Sequence, residues 1–246
     1  LDSGEAFADF AEECLEMGYT GFKIHGWGGS DEARDIDREV ETVHAVGERV
    51  GDEMDLMLDP ACEYETFGDA LTVGKTCDEQ DFYWYEDPYR DGGISQHGHK
   101  RLGQHLETPL LQTEHVRGLE PHTDFVANGA TDFVRADPEY DAGITGAYKI
   151  AHVSEGFGLD VELHAPGPAQ RQLMAAIRNT NYYEMALVHP KCKNTQPPVY
   201  KNGYEDFLDA IDSDGTVPVP DGPGLGVEYD WDYIEANKTG SVHVYE

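Results

Sequence analysis

The chain reads as an α/β protein whose strands are all parallel and close into a barrel. Three features point there. Short apolar runs alternate with helix-period segments along most of its length, the pattern of parallel strands joined by helical crossovers. Nearly every apolar run stops at a charged residue, which favours a closed barrel with all strand C-terminal ends at one mouth. The third is residues 81–93, DFYWYEDPYRDGG, where Phe82-Tyr83-Trp84-Tyr85 passes directly into Glu86-Asp87-Pro88. A buried strand there ends on a carboxylate, and the proline stops it.

The elements follow in order. Ser3 caps a first helix with Phe7, Phe10, Ala11, Cys14 and Leu15 on one face, and Gly18 ends it. Strand 21–25 leads into the Gly-rich stretch 26–29, read as a turn because it matches no phosphate-binding pattern. The periodicity of Ile36, Val40, Val43 and Val46 predicts a helix over 31–50. Strand 54–58 runs into Asp59-Pro60 and is followed by helix 66–79, strand 82–85 and helix 95–106. Strand 109–113 runs into Glu114-His115, helix 119–128 follows, and strand 132–136 runs into Asp137-Pro138. Helix 142–157, strand 159–163 ending on His164, helix 168–178 and strand 182–187 carrying Glu184 complete the alternation. From about residue 189 the chain is a Pro/Gly-rich tail with a short final helix. A barrel of eight strands calls for one more before Ser3, so the chain is expected to be a fragment of a longer protein.

With 246 residues, 39% of them hydrophobic, one large core can form. Asp and Glu number 49 against 17 Lys and Arg, a net charge of −32 spread through every segment. Such a surface suits a halophilic cytoplasm, where molar salt screens its self-repulsion, and it disfavours nucleic acid and anionic membranes as partners. The melting temperature is therefore expected to rise between about 0.1 M and several molar KCl, a range over which the screening length shrinks severalfold. A melting temperature constant across that range removes the halophile reading. No apolar run of about 18 residues is present, so no membrane-spanning helix is expected. The cysteines at 14, 62, 77 and 192 form no CxxC pair and read as reduced thiols of a cytoplasmic protein.

Asp59, Glu86 and Glu114 stand 27 and 28 residues apart, about one strand, one helix and two loops. They should converge at the mouth, where mutual repulsion calls for a hard divalent cation. Lys23 and His25 are two apart on one strand and share its face, and a lysine in such company can be tuned into a general base. His164 closes a strand 27 residues after Asp137, and an aspartate can fix a histidine tautomer. Glu184 aims inward from the last strand. Trp27, Tyr64, Arg90, His115 and Arg117 are the barrel-side candidates for substrate contact.

The order Lys23-x-His25, Asp59, Glu86, Glu114, Asp137, His164, Glu184, followed by the GPGLGVE tail, resembles the enolase superfamily in its mandelate racemase / muconate lactonizing enzyme branch. The resemblance implies a modified TIM barrel, (β/α)7β, with strands two to eight in residues 1–188. The first strand and the N-terminal α+β capping domain would be missing, and residues 189–246 would be a tail packing back on the barrel and on that domain. It implies Mg²⁺ on Asp59, Glu86 and Glu114, an acid/base dyad of Asp137 and His164, and Glu184 hydrogen-bonded to a substrate carboxylate or enolate. One departure stands out: the family's Lys-x-Lys is here Lys-x-His, so His25, with a reference pKa near neutrality, competes with Lys23 for the role of base.

The activity so implied is Mg-dependent removal of the proton alpha to a carboxylate, through an enediolate, by a homo-oligomeric enzyme acting on a small carboxylate. Dehydration of an acid sugar to a 2-keto-3-deoxy acid is the first expectation, with a racemase, epimerase or cycloisomerase of the mandelate racemase type as the alternative. From other classes, a metal-independent glycosidase using Glu86 or Glu114, or an inactive barrel fragment, competes.

Overall fold

The computed structural model describes residues 1–26, 35–90, 92–185 and 198–240. Among them six strands form one sheet in the order of the sequence: β1 (Gly21–His25), β2 (Asp55–Asp59), β3 (Trp84–Glu86), β4 (Leu110–Gln112), β5 (Phe133–Ala136) and β6 (Val161–Leu163). All neighbouring pairs are parallel. A helix separates each strand from the next: α2 (Ile36–Val50), α3 (Phe67–Glu79), α4 (Gln96–Gly103), α5 (Leu119–Ala127) and α6 (Gly143–Gly156). Helix α1 (Gly4–Met17) precedes β1, while α7 (Pro168–Met174) and α8 (Trp231–Asn237) follow β6. Sequential parallel order with helical crossovers is the winding of a barrel wall, here six strands of it.

Local chemistry sets the helix starts. Side chains of Ser3, Asp35, Thr66 and Ser95 accept from the backbone N–H of Ala6, Arg38, Asp69 and Gly98, each satisfying a donor that the first turn leaves open. Two helices end earlier than their apolar periodicity predicts. His105 N–H donates to Leu102 and Ala176 N–H to Leu173, three-residue bonds that tighten and stop the α pattern.

Strand register sorts the side chains into two faces. Lys23, Met57 and Trp84 lie across from one another, as do Ile24 and Leu58, and Leu58 and Tyr85. The outer face, with Ile24, Leu56, Leu58, Tyr85 and Leu110, packs under Val43, Val46, Ala70, Val73 and Leu102 of the helices. Val134, Val161 and Leu163 do the same under Ala147 and Ile150. The inner face is apolar at depth, where Met57, Trp84 and Leu111 cluster with Tyr83, Phe133 and Tyr182, and charged toward the strand C-terminal ends. That gradient puts ionisable groups above an apolar floor.

The expected strand at 182–187 is not a strand over residues 181–185; residues 186 and 187 lie outside the described residues. The reason is a side chain. The buried Glu162 carboxylate takes the N–H groups of Asn181 and Tyr182, each at 3.1 Å, donors that a ladder would give to β6 carbonyls. The segment still bridges the two sheet edges. Gly21 has no side chain, and a Cβ there would stand 3.0 Å from the Tyr182 ring, so a larger residue would push that ring aside. The later chain packs on the barrel: Leu208 joins Phe10 and Cys14, and Asp206 accepts from Arg171 and Tyr183 at 2.6 Å each. Among the described residues no helix is long and apolar enough to cross a membrane.

Asp78, near the end of α3, ties that helix to the entry of β4. Its Oδ1 accepts from the Glu107 and Thr108 N–H groups and the Thr108 hydroxyl at 2.8–2.9 Å. Burial opposes its ionisation, but Lys75 and these donors outweigh it and hold the carboxyl below its usual range. Asp78→Ala is expected to cost about 1–3 kcal/mol, because the buried Thr108 keeps an unmatched N–H. The loss should be full above the ordinary carboxylate pKa and shrink as pH falls through the depressed one, where the wild type also loses the charge. Denaturant unfolding at neutral and strongly acidic pH checks both halves; equal midpoints at neutral pH would discard the tie.

Candidate active site

The charged groups of the inner face meet at the strand C-terminal ends because parity puts them there. On β1, Lys23 and His25 share the inward face; on β2 and β3, Asp59 and Glu86 are the last strand residues. Glu114 sits two residues past β4, and Asp137 and His164 stand one past β5 and β6. Oxygens of Asp59, Glu86 and Glu114 lie within 4.8 Å of one another. Side-chain exposure rises from 0% for Glu86 through 6% for Asp59 to 18% for Glu114. Three hard oxygen donors with a solvent-facing side fit Mg²⁺, which binds through a few carboxylates and keeps several waters.

Lys23 Nζ stands 3.3 Å from Asp59, 3.1 Å from Glu86 and 3.3 Å from Glu184. Burial and Arg135 work against its charge, but the three carboxylates override them and raise its pKa, so it is held as ammonium. His25 Nε2 lies 3.5 Å from Asp59 Oδ2. Burial likewise resists ionisation of Asp59, yet Lys23, His25 and the Ala61 N–H at 2.8 Å keep its pKa low.

The largest group that sequence reasoning missed is Arg135, 1% exposed. Its Nε and Nη2 grip Glu86 at 2.8 and 3.1 Å, and Nη2 reaches Glu184 at 2.6 Å. The signal was present: Arg135 is two residues before Asp137 and must share its face. The same parity places Trp84 below Glu86, to which its indole N–H donates at 3.2 Å. Arg135 and Lys23 serve two carboxylates in different surroundings. Burial pushes Glu86 up to about 7 against both cations, whereas at Glu184 the cations and His164 overcome burial and hold it at about 2.

At the other end of the carboxylate row, His164 Nδ1 is 2.7 Å from Asp137 Oδ2 and Nε2 is 3.4 Å from Glu114 Oε1. Burial disfavours the imidazolium, but Asp137 and Glu114 outweigh it and raise the His164 pKa above the ordinary value. Asp137 is itself fixed: its N–H donates to Asp141 at 2.9 Å, and its Oδ1 accepts from Glu139 N–H at 2.7 Å.

The candidate substrate contacts divide. Arg117 donates to the Glu114 carbonyl and lies over Tyr140, whose ring centroid is 6.4 Å from that of His164. His115 Nε2 is 3.8 Å from Glu114. Tyr64 belongs elsewhere: it is 1% exposed among the helix-side core residues, its hydroxyl bonded to Glu39. Arg90 is a surface side chain paired with Glu65. Both follow a strand, β2 or β3, but contacts with Glu39 and Glu65 hold their side chains away from the carboxylates. Trp27 lies outside the described residues.

A family model described as "Enolase C-terminal domain-like" matches residues 6–233. The chain is 29% identical over 215 residues to the D-xylonate dehydratase of Haloferax volcanii, an alignment covering 82% of this chain and 48% of that protein. It is 26% identical over 235 residues to the N-succinylamino acid racemase of an Amycolatopsis species, covering 92% and 57%. Among solved structures, the D-glucarate dehydratase of Agrobacterium tumefaciens complexed with magnesium superposes with a TM-score of 0.83 at 28% identity, over 98% of this chain and 62% of that one. The chain thus spans about half the length of the curated relatives it matches.

Proposed function

The chain belongs to the enolase C-terminal domain-like family, and on that footing we propose that it dehydrates an acid sugar to a 2-keto-3-deoxy acid. One observation carries the reading: a row of three carboxylates has the Lys23 and His25 side chains at its Asp59 end and the His164–Asp137 pair at its Glu114 end. Asp59, Glu86 and Glu114 would hold Mg²⁺, which supplies Lewis-acid stabilisation of the negative charge that grows on the substrate carboxylate as the α-proton leaves. His25 takes that proton. Lys23, with Nζ 3.1–3.3 Å from Asp59, Glu86 and Glu184, contributes positive charge beside the developing enediolate. His164, oriented by Asp137, then gives its proton to the departing β-hydroxyl from the other end. Glu184, held by Lys23 and Arg135, faces the same space and accepts a substrate hydroxyl or the enolic proton.

The dehydratase relatives favour this outcome, and the racemase relative keeps proton return in view for a substrate lacking a β-hydroxyl. A glycosidase fits less well, since Glu86 has no exposed side-chain surface and is gripped by Arg135. The test is a library of acid sugars incubated with the protein and Mg²⁺, reading the keto product. Product is expected from at least one sugar acid, none after chelation with EDTA, and recovery on adding Mg²⁺. Turnover unaffected by thorough chelation would discard the metal-assisted mechanism.

A further inference from the structure

We propose that the loops after β2, β3 and β4 form a second cation site, made by Cys62, Asp87 and His115, that takes a zinc-like divalent ion. Each loop gives one donor, and Cys62 Sγ, an Asp87 oxygen and a His115 ring nitrogen lie within 4.8 Å of one another. The site shares no residue with the carboxylate row, although His115 Nε2 also stands 3.8 Å from Glu114 Oε1.

Asp87 supplies the independent reason to expect a ligand. It is 1% exposed, and among the described residues neither of its oxygens accepts a hydrogen bond. Among the described residues His115 forms its ion pair, with Nε2 3.9 Å from Oδ2. A carboxylate removed from water with nothing donated to it is costly, and a bound cation removes that cost.

The donor set decides which cation. A thiol, an imidazole and a carboxylate are the ligands of Zn²⁺ and its spectroscopic stand-in Co²⁺, whereas the all-oxygen row suits Mg²⁺. Zinc bonds of about 2.0–2.3 Å bring tetrahedral donors to roughly 3.5 Å from one another. Side-chain rotation of the part-exposed Cys62 and of His115, which is 40% exposed, would close these distances around an ion, and the exposure of His115 leaves a fourth position to solvent.

Cobalt is the probe. The purified protein is saturated with Mg²⁺ and titrated with Co²⁺ while near-ultraviolet absorption is followed. A sulfur-to-cobalt charge-transfer band saturating at one equivalent is expected. It should vanish in Cys62→Ser and persist in Asp59→Asn, because the carboxylate row contains no sulfur. His115→Ala, at an exposed position, should weaken cobalt binding by on the order of tenfold or more, since even partners behind a ligand cost about 10–100-fold. It carries the test alone if Cys62→Ser does not fold. Absence of a sulfur band, its survival in Cys62→Ser, unweakened binding in His115→Ala, or its loss in a folded Asp59→Asn each overturns the proposal. None of these readouts depends on turnover, so the dehydratase reading stands or falls separately.

Discussion

Arg135→Met is expected to destabilise the protein by about 3–5 kcal/mol at pH 8, the cost of leaving a buried charge without its partner. Glu86 has no exposed side-chain surface and takes two bonds from Arg135, and Glu184 Oε2 is ion-paired with its Nη2 at 2.6 Å. With the guanidinium gone, Lys23 is, among the described residues, the cation left in contact with Glu86 and Glu184. The loss depends on pH with a definite sign. Burial already pushes Glu86 up to about 7, so the folded protein binds more protons than the unfolded chain between the ordinary glutamate pKa and 7, and stability falls as pH rises through that window. Without Arg135 the Glu86 pKa moves higher still, and the gap to the wild type should narrow without closing at pH 5, where Glu86 is neutral but ionised Glu184 still lacks the guanidinium. Adding Glu86→Gln should recover part of the loss, since an amide carries no charge to strand. Denaturant midpoints at pH 8 and pH 5 for the single and double variants test this; a single variant within about 1 kcal/mol of wild type at pH 8 would show that Arg135 is not the counter-charge of the site.

How far the site could be read from the sequence follows from what a linear pattern records. Asp59 and Glu86 were legible because an apolar run that stops at an acid and then a proline is a local statement. Glu114 was legible by interval, although it lies two residues beyond β4. Arg135 was hidden among its carboxylates: buried arginines are uncommon enough that the residue reads as surface until strand parity with Asp137 is applied. The strand over 182–187 is expected from the helix-to-strand succession, with Glu184 aimed inward, but that succession records only where an element falls. It does not say whether the backbone donors find carbonyls or, as here, the Glu162 carboxylate. Tyr64 and Arg90 show the limit for loops, whose direction after a strand end is set by contacts such as Tyr64 with Glu39 that no local pattern announces.

His164→Asn is expected to lower dehydration by about 10²–10⁴-fold while exchange of the substrate α-proton with solvent deuterium continues. The split follows from position. His164 contacts Glu114 and Asp137, whereas Lys23 and His25 contact Asp59, so proton removal and hydroxyl departure use different groups. Asparagine can keep a hydrogen bond to Asp137 but has no proton to give, which separates the loss of an acid from the loss of a fold. His25→Ala should do the reverse and stop exchange, because its ring is the proton acceptor at the Asp59 end; exchange that continues in His25→Ala and stops in Lys23→Ala would make Lys23 the base. Each variant is followed by proton NMR in deuterated buffer, with keto-acid formation measured in parallel. If His164→Asn dehydrates its sugar acid at the wild-type rate, the acid is another group and the dyad is structural. If it loses exchange along with dehydration, proton removal runs through His164, and the two ends of the carboxylate row have been assigned the wrong way round.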